Sequence, residues 1–342
     1  MPISVVVGGQ FGSEGKGKVA YSIAKKHKAK AVVRVGGPNS GHTVVDNSGN
    51  RVIFQQLPTA AIHPDIVSVI SAGSYIDLVV LKSEIKRTSL GPNRLKIDPK
   101  AVIISESCVE LENQQGLRLR VGSTLTGTGA AVSQRADRNP LVRFARDEPE
   151  LREYLTDTSE YLYKSLCCGD RIVAEGSQGF GLSVIHTPHY PFATSRDTTA
   201  AGVLSEIGLS PLMVDEVALV LRAFPIRVPG NSGPLARETS WRQISEEGGF
   251  SNELEELTSV TRARRRVGYF DEYIVDLAIK ANMPSLIFLN HVDYVDSECL
   301  SSGYPRITPK VEKYVSGIEA RIGRCIDYIG LSPSVCISFG TI

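Results

Sequence analysis

The chain has 342 residues, and its 38 basic side chains almost cancel its 37 acidic ones, so no global field recruits nucleic acid or a membrane surface. No apolar run reaches the roughly 18 residues of a membrane-crossing helix, and the start "MPISVVVGG" lacks the basic region and long apolar core of a signal peptide. The six cysteines (Cys108, Cys167, Cys168, Cys299, Cys325, Cys336) have no C-x-x-C spacing; reduced, mostly buried thiols in a cytoplasmic protein are expected, not disulfides or zinc.

Short apolar, β-branched runs recur along the chain: "SVVVGG", "AVVRVGG", "VSVISAG", "AVIIS", "RIVAEG", "EVALVLRAF", "SLIFLNHVD" and "SVCISFG". They do not alternate with polar residues, and helix-compatible segments follow several of them. This pattern predicts an α/β fold with a large, mostly parallel sheet covered on both faces. Ligands of such sheets bind beyond the carboxyl ends of the strands, so the polar residues just after each run are the ones to weigh. Residues 112–140 read as a long polar excursion, and one domain over 1–342 is expected.

The first run leads into a glycine-rich turn. "GSEGKGK" fits the phosphate-loop template G-x-x-x-x-G-K from Gly12 through Gly17 to Lys18, and "VAYSIAKKHK" after it is helix-compatible. Backbone N–H groups at a helix start bind phosphate, and glycines let the chain approach closely. Val19 stands where the template wants Ser or Thr for magnesium; an ordinary phosphate-loop ATPase or GTPase stays open at this point. After the second run, "RVGGPNSGHTV" carries His42. A structural role and a catalytic one, stabilising charge on a transferring phosphoryl group, weigh equally. After "RIV", the segment Ala174–Gly202 is crowded with Gln, Thr, Ser and Arg and reads as a ligand cradle. His186 and His189 within it lack a clear third ligand, so no metal site is assigned. "SVTRARRRVGYFDEY" (Ser259–Tyr273) is rich in arginine. A nucleic-acid patch is one reading. The acidic "NELEEL" upstream and the neutral total favour guanidinium forks for a carboxylate and phosphates.

Together and in this order, "GQFGSEGKGK", "GGPNSGHT", "EGSQG" with "YPFATSRDTTAAG", and "VTRARRRVGYFD" resemble the adenylosuccinate synthetase family. That family carries GQWGDEGKGK, GGxNAGHT, EGAQG with YPxVTSxNTTAG, and TTGRxRR before G-W-L-D. The resemblance implies a single α/β domain with a large central sheet, working as a homodimer with a shared active site. It implies a two-step ligase reaction. The purine 6-oxygen attacks the γ-phosphate of a nucleoside triphosphate, and the amine of L-aspartate then displaces phosphate. Carried over by motif, Gly12, Ser13, Glu14, Gly15, Lys16, Gly17 and Lys18 resemble the phosphate cradle, with Lys16 among the catalytic groups. His42, flanked by Gly41 and Thr43, resembles the histidine that stabilises phosphoryl transfer, and the Gly41 carbonyl resembles a magnesium ligand. Arg265, His291, Asp293, Ser338 and Gly340 resemble groups on the triphosphate; Asp293 would read its base, and His291 stands where the family has Lys. Asn39, Thr124, Gln178 and Thr194 resemble groups that hold the acceptor nucleotide, joined by Arg138 from the other subunit. Val260, Thr261 and either Arg262 or Arg264 resemble the aspartate loop.

Ser13 is the main departure. The family's Asp at this position takes the proton from purine N1 and binds magnesium; a neutral hydroxyl is a poor base and a weak ligand at pH 7. A dead enzyme is one consequence, and a changed substrate is another. Serine is smaller, and its oxygen can accept a hydrogen bond from the 2-amino group of guanine. A viral branch of the family carries this replacement, uses ATP, and acts on dGMP to make N6-succino-2-amino-2'-deoxyadenylate. The retained His42 and phosphate loop favour this reading, with dGMP, L-aspartate, ATP and magnesium. The alternatives are the ordinary IMP and GTP enzyme and a silent nucleotide-binding protein.

Overall fold

The computed structural model describes residues 2–46, 48–258, 262–301 and 304–339. Strand β1 (Ile3–Gly8) is buried along its whole length, and its side chains divide between two faces. Val5 and Val7 pack in a core with Val203, Leu204 and Ile274; Val6 packs on the other face with Val19 and Ile23 of helix α1 (Lys16–Lys26) and with Val173 and Val220. Successive strand residues point to opposite faces, so a strand covered on both sides is apolar throughout.

The remaining strands of the main sheet are β2 (Ala31–Arg34), β3 (Val67–Ile70), β4 (Leu95–Ile97), β5 (Ile172–Gly179), β6 (Val214–Arg222), β7 (Leu286–Asn290), β8 (Tyr328–Gly330) and β9 (Cys336–Ser338). Nine strands run in the order β9-β8-β7-β6-β1-β5-β2-β3-β4. All neighbours are parallel except β8 and β9. Central β1 therefore has β5 on one side and β6 on the other. The loops leaving β1, β2, β5, β6 and β7 emerge at one edge of the sheet, where a doubly wound sheet binds its ligands.

Three expectations are corrected. "AVIIS" contributes only Val102–Ile103, which pairs with Tyr75–Ile76 in a separate two-stranded sheet. Residues 112–140 are largely helical: Glu106–Gln114 reaches into them, and Leu117–Val121 and Thr128–Ala136 follow. The polar Glu112 is buried there, accepting the N–H groups of Gly127 (3.0 Å) and Gly129 (2.8 Å) at the start of the third helix. The cysteines are free, but Cys167, Cys168 and Cys325 are exposed; only Cys108 and Cys299 are buried. Among the described residues no helix is long and apolar enough to cross a membrane.

Candidate active site

The turn after β1 has positive φ at Gly12 (91°), Ser13 (57°) and Gly15 (93°). Glycine adopts such angles freely; serine does so at a cost of about 1 kcal/mol. Glu14 accompanies this shape. Its carboxylate is buried, accepts the N–H groups of Gln10 (3.2 Å) and Gly12 (2.7 Å), and pairs with Lys16 Nζ at 2.7 Å. A side chain on Gly8 would put its Cβ 2.6 Å from Glu14 Oε2, which explains that glycine. With Glu14 turned inward, Ser13 is exposed, and Arg222 Nη1 holds the Ser13 carbonyl at 3.1 Å. Helix α1 begins after Gly15 with no side-chain cap and no acid in its first turn. Its leading N–H groups, at Lys16, Gly17 and Lys18, suit an anion. The Lys18 side chain departs from a phosphate cradle: Nζ donates to the carbonyls of Ser332 (2.9 Å) and Val335 (3.3 Å), and burial lowers its pKa.

His42 opens the strand His42–Val45, which forms a hairpin with Arg51–Phe54. A Cβ on Gly17 would lie 3.2 Å from His42 Cβ, so the histidine sits against the first turn of α1. Its Nδ1–H donates to Glu175 of β5, and its Nε2 lies 3.4 Å from Ser40 Oγ. The second Glu175 oxygen accepts the Thr59 N–H (3.0 Å) and hydroxyl (2.9 Å). Burial, then the Arg34 charge, lowers the His42 pKa to about 4, so the ring is neutral here. Burial opposes ionisation of Glu175, but His42 and Arg34 outweigh it and hold the carboxylate at about 2. The pair thus fixes one tautomer and leaves Nε2 for a ligand. Gly41 and Thr43, on either side, are half-buried.

Gln178, next to last in β5, has φ 58° and donates through Nε2 to Asn39 Oδ1 at 3.1 Å. Its Oε1 is buried without a partner among the described residues, an acceptor that a ligand donor would satisfy. Thr194 is half-buried, its N–H donating to the Leu182 carbonyl at 2.7 Å. Thr124 is half-buried ahead of helix Thr128–Ala136, and Arg138, just past that helix, is exposed.

A buried polar cluster fills the ends of β6 and β7. Arg222 is fully buried and ion-paired with Glu256, which also accepts the Tyr294 hydroxyl (3.0 Å) and lies 3.8 Å from His291 Nδ1. Burial works against the Glu256 charge, but Arg222 and His291 hold it at about 2. Burial, then Arg222, lowers His291 to about 3. Burial pushes Asp293 up to about 7. Arg265 joins through its N–H to the Glu256 carbonyl (2.9 Å) and Nε to the Leu257 carbonyl (3.2 Å). Asn290 Nδ2 donates to the Glu14 carbonyl at 2.7 Å, tying this cluster to the phosphate loop. Ser338 is exposed on β9.

Val260, Thr261 and Gly340 lie outside the described residues. Arg262 is exposed with φ 54°. Arg264 is exposed and pairs with Glu253, with Glu255 at 3.9 Å. The upstream acids thus engage Arg264 at the protein surface. Sequence reasoning missed Glu175, Arg34, Arg222 and Glu256. The available signal was a charged residue inside an apolar run, as in "RIVAEG" and "VLRAF", because a buried charge must be paired.

The adenylosuccinate synthetase family model matches residues 5–146 and 141–299. The chain belongs to this family. It is 32% identical over 338 residues to the adenylosuccinate synthetase of Archaeoglobus fulgidus, covering 98% of this chain and 97% of that one. With the enzyme of Methanocaldococcus jannaschii it shares 34% identity over 337 residues, covering 97% and 94%. A fully ligated adenylosuccinate synthetase from Plasmodium falciparum superposes with a TM-score of 0.85 at 20% identity, over 99% of this chain and 100% of that one, a likeness of fold. The cyanophage S-2L succinoaminodeoxyadenylate synthetase (PurZ), bound to dGMP and dATP as an energy donor, superposes with a TM-score of 0.81 at 28% identity, over 99% and 96%. The family is one of carbon–nitrogen ligases, and the α/β sheet and resemblance expected from sequence are both found.

Proposed function

We propose that this chain joins L-aspartate to C6 of dGMP at the expense of ATP, giving N6-succino-2-amino-2'-deoxyadenylate. Ser13 carries the reading. It replaces the family's Asp, and its short side chain is exposed on a loop that otherwise differs from the family motif only in Phe11 for Trp. The likeness to the cyanophage enzyme bound to dGMP and dATP supports it. The identity to the archaeal enzymes favours a second reading, IMP with GTP.

In the first step the purine 6-oxygen forms a bond to the γ-phosphorus, the bond to ADP breaks, and the N1 proton is lost. In the second step the amine nitrogen bonds to C6, the 6-phosphoryl group leaves as phosphate, and an amine proton is lost. His42 presents Nε2 beside the first turn of α1, where negative charge of a triphosphate would raise its pKa and let it donate to the transferring group. Asn39 and Gln178 would orient the purine nucleotide, and Asp293 with His291 would face the base of the triphosphate. Magnesium fits on limited terms. Glu14 is already engaged, so the oxygens on offer are neutral, the Ser13 hydroxyl of this loop and the Gly41 carbonyl just before His42. Such donors suit an ion that keeps its waters and is held mainly by nucleotide phosphates, whose charge it would offset. Among the described residues no cluster of three or more His, Cys, Asp or Glu could hold a metal. The working unit is read as a homodimer of one-domain chains. A sheet that draws strands from Ile3 to Ser338 supports the single domain, and the exposure of Arg138 suits a residue that serves a partner.

The test is Ser13→Asp. Aspartate tolerates the left-handed backbone of this position, so the exchange should leave the fold intact. Crowding of the 2-amino group and loss of its acceptor should lower kcat/KM for dGMP by about 30- to 1000-fold, on the order of 2–4 kcal/mol. Use of IMP should hold or rise. An Asp variant that turns over dGMP as well as the parent sinks the assignment.

A further inference from the structure

Arg227 is a buried cation with an unfilled fork. It is 3% exposed in the short strand Ile226–Arg227. Its Nη1 donates to the Ser232 carbonyl, and its guanidinium carbon lies 4.0 Å from the centroid of the Phe11 ring. Nε and Nη2 are buried with no partner among the described residues. Those two N–H groups lie along one edge of the guanidinium, the edge that grips a carboxylate through two parallel hydrogen bonds.

The other buried arginines are served differently. Arg222 pairs with Glu256 and Arg196 with Glu206; Arg34 donates to the carbonyls of Phe54, Leu57 and Ser40. Arg266, opposite Arg227 in the strand pairing, donates to the same 230–233 turn but has Glu238 as counter-ion. Burial, then the Arg266 charge, lowers Arg227 only to about 10, so it stays charged at neutral pH. A buried charge without a counter-ion is costly, and buried donors are normally satisfied.

The surroundings indicate what fills it. Phe11 leads to Ser13 in the phosphate loop. Its ring also crowds Gly181, where a Cβ would lie 2.5 Å from Phe11 Cε1, and faces His189 at 6.0 Å. A Cβ on Gly233 would meet Arg227 Nη1 at 2.8 Å and Phe192 at 2.7 Å. The fork therefore sits where the phosphate loop, the Gln178–Thr194 segment and the end of the arginine run converge. This is the junction between the acceptor's side of the site and the arginine run. We infer that Arg227 is a further substrate-recognition residue, whose Nε–Nη2 edge receives a carboxylate of the amino-acid substrate. The atoms are sealed from solvent here, so seating the carboxylate involves a local shift of the segments around them. The inference rests on the ligase reading, and not on which purine is the acceptor.

Steady-state kinetics of Arg227→Lys and Arg227→Gln test it, with whichever of dGMP or IMP the parent uses. If the parent uses only IMP, the acceptor reading fails while this test still stands. The KM for L-aspartate should rise about 10- to 100-fold, the scale of lost charge-assisted hydrogen bonds. The KM values for the acceptor and the triphosphate should stay within about threefold. Lysine should recover part of the loss, because it keeps the charge but not the fork. A rise confined to the acceptor KM would assign the fork to a phosphate and overturn the inference. So would unchanged aspartate kinetics, or failure of both variants to fold, which would make Arg227 a residue of the fold alone.

Discussion

Glu175 lies in the middle of a strand buried along its whole length, and its two oxygens organise His42, Thr59 and the turn that faces the phosphate loop. This pairing has a measurable consequence. The folded His42 has a pKa of about 4 against an ordinary 6.5, so folding favours the neutral ring. The unfolded chain takes up a proton near pH 6.5 that the folded ring refuses until about 4. The stability His42 contributes is therefore complete above pH 6.5 and is lost as pH falls toward 4. In His42→Asn, whose amide can still donate to Glu175, that dependence is absent. The stability gap between parent and variant should be widest near pH 7 to 8 and shrink by on the order of 2 kcal/mol by pH 4.5. Urea unfolding at the two pH values measures it; a gap that stays constant or widens in acid means that the folded ring is already protonated. The same variant should lose ~10²–10⁴ in turnover if His42 acts in phosphoryl transfer.

Among the elements, those with both faces buried were legible, because a continuous apolar run leaves little else than a covered parallel strand. "SVVVGG", "AVVRVGG" and "EVALVLRAF" became β1, β2 and β6 for that reason. The shortest strands outside the listed runs were not legible. Leu95–Ile97, at one edge of the sheet, and Tyr328–Gly330, next to the other edge, are three residues each, with a lysine in one, too short to stand out from a turn. The helical stretch around 106–136 was hidden by its polar composition; its order relies on Glu112 reaching across to the start of helix Thr128–Ala136, a contact that no local pattern announces. Within the site, the glycine-rich loop could be read as a loop. That Glu14 would be buried and that Lys18 would tie to Ser332 and Val335 could not, since both depend on residues far along the chain or on an inward turn of the backbone.

For the molecule as a whole, the open question is what completes the site. Arg138 is exposed beyond helix Thr128–Ala136, and a shared dimeric site would place it on the acceptor phosphate of the partner, where a planar fork suits phosphate. Arg138→Leu should raise the acceptor KM and leave the triphosphate KM nearly unchanged. Mixing that variant with His42→Asn should restore activity, because each hybrid dimer assembles one site with both residues intact. No recovery, with subunit exchange demonstrated, would place Arg138 in its own subunit's service. The central claim is the identity of the acceptor. It is tested most directly by incubating the parent protein with L-aspartate, magnesium and ATP or GTP, offering dGMP or IMP, and identifying the product by mass. The expected result is a succinylated product from dGMP with ATP, formed faster than any product from IMP. Faster conversion of IMP, or no product from either nucleotide, would contradict it.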